Sequence, residues 1–168
     1  MGQIDFNKVW QNFMDMVQNH YMDFSGRLGQ AQFWFFILVC GAIQVVAQVF
    51  DGIATYGLIS GVIGLALLLP TAGAVARRMQ DGGNNGQLAW ALVLVWGVYA
   101  VMRLMLGLAP FGMFGVFGFF YFFYTIGWLI QLGLAVVIVG IIYFCIQPGQ
   151  AGDNQYGPPP PVWTPGPS

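Results

Sequence analysis

The chain has 168 residues, 58% of them apolar and 7% charged, with a formal net charge of −1 and no glutamate. Five basic and six acidic side chains are too few to coat a water-soluble domain of this size, so the composition excludes an ordinary soluble fold and selects lipid as solvent. Nucleic acid is excluded as a partner as well, because phosphate binding needs a basic patch and only Lys8, Arg27, Arg77, Arg78 and Arg103 are basic.

Residues 1–24 carry Phe6, Val9, Trp10, Phe13, Val17 and Tyr21 at helical spacing, with Asp5, Lys8, Asn12, Asp15 and Asn19 between them, which predicts an amphipathic interfacial helix. Such a helix either lies along the membrane surface or packs on the ends of a bundle. Asp5, Asp15 and Asp23, with no basic start before a compact apolar core, do not make a removable signal peptide; the first apolar helix is expected to direct insertion.

Residues 25–147 read as a domain of four transmembrane helices, with spans at about 31–50, 56–76, 88–109 and 118–146. The short turn from Asp51 to Thr55 makes the first two an antiparallel hairpin. Gly57 with Gly61, and Ser60 with Gly64, set small residues four apart, a spacing that lets helices approach closely in lipid. Pro70 is expected to kink the second span. Arg77 to Gln87 contains two arginines, Asp81 and a Gly/Asn series, and reads as a polar loop. Gly112, Gly115 and Gly118 fit either a re-entrant turn at 110–118 or a long, tilted fourth helix. Residues 148–168 form a Pro/Gly-rich tail with the composition of a disordered end or of a docking ligand for a partner.

Orientation follows from the basic residues. Lys8 and Arg27 precede the first span, Arg77 and Arg78 follow the second, and the turn between those spans has none. This places both termini in the cytoplasm of a multi-pass protein.

Three segments carry a family resemblance. They are Phe24-Ser25-Gly26-Arg27 with Phe33-Trp34-Phe35-Phe36; Leu69-Pro70 through Val75-Ala76-Arg77-Arg78-Met79-Gln80-Asp81-Gly82, followed by Gly86 and Trp90; and Pro148-Gly149 with Asn154-Gln155-Tyr156-Gly157-Pro158. The sequence resembles the YhaH-like bacterial inner-membrane proteins, domain of unknown function 805. Gln80 stands where that pattern has histidine, and Leu28 to Gln32 and Gln87-Leu88 also depart from it. The resemblance implies a polytopic inner-membrane protein and brings no activity with it.

Catalytic machinery is sparse. His20 is the sole histidine and Cys40 and Cys145 the sole cysteines. No CxxC, GxSxG, HExxH or phosphate-loop motif occurs, so neither catalysis nor a metal or cofactor is expected. Two polar groupings remain. At the membrane boundary Arg27, Arg77, Arg78, Asp81, Asn154 and Tyr156 could meet, with Asp81 the expected partner of Arg77 or Arg78; lipid phosphates are the other neighbours open to the arginines. Within the bilayer, Gln44, Gln48 and Asp51 share one face of the first span. Arg103 lies at similar depth and needs partners there, with Gln131 on the fourth span within possible reach. Interhelical hydrogen bonds of this kind hold bundles together. The expected function is therefore a non-catalytic structural or accessory component of a membrane assembly, in contact with lipid and forming a homo-oligomer or binding a membrane partner. The alternative is a small transporter or channel with a path near Arg103, Gln44 and Gln131.

Overall fold

The computed structural model describes residues 3–52, 57–108 and 117–166, with side chains for 3–52, 57–105 and 126–166. Five helices follow one another: α1 (Phe6–Gln18), α2 (Gln30–Phe50), α3 (Leu58–Asp81), α4 (Leu88–Leu108) and α5 (Phe117–Ile146). Helices α2 to α5 are each long and apolar enough to cross a membrane, so the protein is a helical membrane protein. Residues 53–55 of the first turn and 110–116 of the glycine-spaced stretch lie outside the described residues; 117 and 118 belong to α5. At 30 residues, α5 is about 45 Å long, more than the ~30 Å of hydrocarbon requires.

Helix α3 is the central element, packed against every other helix. Every residue from Pro70 to Asp81 is buried, because α1, the linker from Asn19 to Gly29, and the neighbouring helices surround it. This corrects the expectation that Arg77, Arg78 and Asp81 lie in a loop: the helix continues through all three, and the loop begins at Gly82. Charged residues end a membrane helix where lipid would surround them; here protein groups do. Close packing depends on missing side chains. A Cβ on Gly73 would stand 2.7 Å from the Asp23 carbonyl oxygen, and one on Gly61 2.9 Å from the Leu104 backbone nitrogen.

Pro70 has no N–H, so the carbonyl of Ala66, one turn earlier, loses its helical partner. The Tyr21 hydroxyl donates to that carbonyl at 2.7 Å, which supplies the bond that proline removes. Tyr21→Phe should cost about 1 kcal/mol in detergent melts. Added to Pro70→Ala, which gives Ala66 a backbone donor, the same change should cost much less; equal costs in the two backgrounds would dissociate the hydroxyl from the proline.

Helix α1 starts at Asp5, whose carboxylate accepts from the Asn7 amide at 2.9 Å. Val9, Phe13 and Met16 are buried, with the Phe13 ring 5.9 Å from that of Phe36. Phe6 and Trp10, on the same sequence stripe, are exposed. The tail lies along this end of the molecule. Asp5 donates its amide to the Pro165 carbonyl at 2.7 Å, Lys8 donates to the Gly166 carbonyl at 2.8 Å, and the Trp163 ring is 5.6 Å from that of Phe35. A proline-rich strand has few donors but many carbonyls, and these contacts use the carbonyls. The start of α1 and the tail as far as Gly166 therefore share one end, the terminal end, opposite the hairpin end where α2 meets α3.

Candidate functional site

At the terminal end, Asp81 closes the last turn of α3 and holds two arginines. Arg78, one turn earlier on the same face, donates to Asp81 Oδ2. Arg27 arrives from the linker after Gly26, whose positive φ of 95° suits glycine, and sets Nε and Nη2 each 2.9 Å from Asp81 Oδ1. The side chains of Arg27 and Arg78 are each 1% exposed.

Two cations against one carboxylate leave a buried excess of positive charge, and main-chain carbonyls compensate it. Arg78 donates from Nε to the Cys145 carbonyl at 3.0 Å and from Nη2 to that of Gln147. These stand at the C-terminus of α5, the negative end of its dipole, where carbonyls lack helical partners. Gln30 takes the Ile146 carbonyl at 2.9 Å. Arg27 donates to the carbonyls of Gly152 at 2.7 Å, Gly157 at 3.3 Å and Gln150, so it gathers a single turn of the tail.

That turn is shaped by Asn154. Asn154 and Gly157 exchange backbone hydrogen bonds of 3.1 and 3.0 Å, the Asn154 side chain donates to the Gln80 carbonyl at 3.0 Å, and its oxygen accepts the Tyr156 amide at 2.9 Å. The Gln150 amide donates to the Asp81 carbonyl at 2.9 Å. Gly149 leaves no room for a side chain, since a Cβ there would fall on the Asp81 carboxylate, 2.7 Å from Cγ.

Of the six boundary residues expected to meet, Arg27, Arg78, Asp81 and Asn154 do so through side chains, and Tyr156 through its backbone. Arg77 does not. It is turned toward α1, with Nη2 3.1 Å from the Met16 sulfur and Nη1 3.9 Å from Asp23. Asp23 is also 3.0 Å from His20. Burial alone would raise the Asp23 carboxyl, but hydrogen bonds from His20 and Ser25, with the Arg77 charge behind them, hold it below the ordinary aspartate value. Gln80, in the histidine position of the family pattern, donates to the Phe24 carbonyl at 2.9 Å, a task that needs only an N–H.

Near the hairpin end the polar residues converge on Ser60. Asp51 accepts from the Ile59 and Ser60 amides at 2.9 and 2.8 Å and so caps α3 across the turn. Arg103 donates to the Ser60 hydroxyl at 3.1 Å and lies 3.7 Å from Asp51. Gln44 donates to the Ser60 carbonyl at 3.1 Å. Gln131 stays apart, 3.4 Å from the Tyr99 hydroxyl, and Gln48 is exposed. Sequence reasoning saw Ser60 only as a small residue and missed Gly149 as a steric requirement, although both stand in quoted motifs.

Each carboxylate of these two groupings accepts hydrogen bonds from fixed donors, and among the described residues no three His, Cys, Asp or Glu side chains form a metal site.

The chain is similar to two inner membrane proteins of Escherichia coli (strain K12). Inner membrane protein YhaI is 29% identical over 153 residues, covering 89% of this chain and 95% of the relative. Inner membrane protein YhaH is 27% identical over 150 residues, covering 86% and 92%. No solved structure matches. The family described as "Protein of unknown function (DUF805)" matches residues 21–158, the stretch that contains Arg27, Arg78, Asp81, Gly149 and Asn154. The three segments that bear the family pattern are therefore the ones that meet at Asp81, and the chain belongs to the DUF805 family.

Proposed function

We propose that the protein is a non-catalytic structural or accessory component of an assembly in the bacterial inner membrane, with both termini in the cytoplasm. One observation carries the reading: the charges of Arg27, Arg78 and Asp81 are buried and directed at each other and at main-chain carbonyls, an arrangement that builds a joint between helices and tail. The orientation rests on Lys8, Arg27, Arg77 and Arg78 lying at the terminal end. Exposed Phe6 and Trp10 enter the headgroup layer on that side. An apolar furrow bounded by Leu65, Gly97, Val101 and Ile130 suits a helix of a second copy or of a membrane partner, and exposed Val162 leaves part of the tail for a further contact.

Arg103 bound to Ser60 and Asp51, with Gln131 elsewhere, favours the structural role over a conduction path. Proteoliposomes holding the wild-type chain should be no more permeable to ions and small solutes than empty vesicles, and Arg103→Leu should change nothing. Flux that the wild type supports and Arg103→Leu removes would replace the structural reading with transport. Native mass spectra from mild detergent should show a species larger than the monomer; a strict monomer would remove the assembly role.

A further inference from the structure

Helices α2 and α5 meet at the terminal end, where Gln30 donates to the Ile146 carbonyl, but pack far less closely than α2 with α3 or α4 with α5. Between them runs a cleft of about 370 Å³, floored by α3 and α4. It extends from Trp34 to Gln48 on α2, roughly 20 Å of helix rise, and most of its wall is apolar, including Ile37, Leu92, Trp96 and Ile138.

Two polar atoms in the lining stand out. Gln44 donates its amide nitrogen to the Ser60 carbonyl; because that carbonyl can only accept, the orientation of the amide is fixed. Its oxygen is left buried without a hydrogen-bond partner. Thr71, 6% exposed, also turns a buried hydroxyl to the cleft, where the Cys40 thiol, a weak hydrogen-bonding group, is its one polar neighbour among the described residues. A buried polar atom left unmatched in a low-dielectric site is costly. Both line one cleft, and Gln44 lies one helical turn from Cys40, toward the hairpin end.

We propose that this cleft binds a neutral, hydroxylated long-chain amphiphile, with its hydroxyl head at Gln44 and Thr71 and its chain along Trp34 and Ile138. The head donates a hydrogen bond to the Gln44 amide oxygen, and the Thr71 hydroxyl pairs with a second polar atom of the head. No lysine, arginine, aspartate or glutamate lines the cleft, so a phosphate or carboxylate head would enter without a countercharge.

The test uses the full chain in nanodiscs with Trp10, Trp90, Trp128 and Trp163 changed to Phe, which leaves Trp34 and Trp96 as reporters. The probe is a monoacylglycerol brominated along its acyl chain. The comparisons are the brominated methyl ester, which lacks hydroxyls, and the brominated fatty acid, which is charged. The monoacylglycerol should quench saturably, the other two only in proportion to their amount. Gln44→Leu should raise its half-saturation roughly threefold to tenfold, and Thr71→Val should raise it too. Ile138→Phe, which fills the cleft without touching the Ser60 bond, should abolish saturation in a chain that melts normally. Equal quenching by all three probes, or an unchanged half-saturation in folded Ile138→Phe, would show that ordinary lipid chains fill the cleft and overturn the assignment.

Discussion

Asp81→Asn should leave little folded protein in the membrane and lower the stability of what remains by about 3–5 kcal/mol, the cost of removing one partner from a buried ion pair. The expectation is large because Asp81 is the carboxylate between two arginines whose side chains are each 1% exposed. Asparagine keeps the shape and one acceptor but withdraws the negative charge, so Arg27 and Arg78 face each other with only carbonyl dipoles to offset them. Thermal unfolding in detergent and yield per unit of membrane report the effect. Asp15→Asn, at a half-exposed carboxylate, serves as the control and should stay within about 0.5 kcal/mol of wild type. An Asp81→Asn protein that also melts within 1 kcal/mol of wild type would mean that the arginines are not held by this charge.

Gly149→Ala should release the tail. Its Cβ would occupy the space of the Asp81 carboxylate, and the backbone at 149 can move only by drawing the Gln150 amide off the Asp81 carbonyl and the Gln150 carbonyl off Arg27. Overpacking of this kind costs about 1–3 kcal/mol. Because the tail is the element best able to move, much of the cost should appear as local opening. Chymotryptic cleavage after Tyr156 should speed up roughly tenfold, the equivalent of about 1.4 kcal/mol. Gly152→Ala is the matched control, since a Cβ there meets nothing within 4 Å; it should cleave at the wild-type rate. Similar rates for the two alanine variants would remove Gly149 from the joint.

These two variants fall where sequence reading was weakest, and the reasons are physical. Apolar runs of the length a bilayer demands are direct signals, and the described residues hold four helices long and apolar enough to cross a membrane. The end of α3 was misplaced because a run of charges is read as leaving the lipid, whereas Arg77, Arg78 and Asp81 leave lipid by entering protein. Sequence spacing alone could not choose between Arg77 and Arg78 as partner of Asp81, because i+4 and i+3 neighbours are both within reach; the choice came from α1, which draws Arg77 toward Met16. Arg27 was 54 positions away from Asp81, and only the shared family pattern hinted at the contact. Gly149 carries no chemistry of its own, so its importance is visible only when the carboxylate beside it is in place. Near the hairpin end, Gln44, Asp51 and Arg103 were legible as polar residues at matching depth. Their common partner Ser60 was hidden by its small size, and Gln131 faces Tyr99 instead.

Arg27, Arg78 and Asp81 join the tail to the helical bundle. Hydrogen exchange on the wild-type chain in nanodiscs reads this joint through the amides of Gln150, Asn154 and Gly157, each hydrogen-bonded within it. Their protection should approach that of the buried stretch of α3 from Pro70 to Asp81. Exchange at the rate of an unstructured peptide would mean that the tail spends its time away from the arginines and that no such joint holds it.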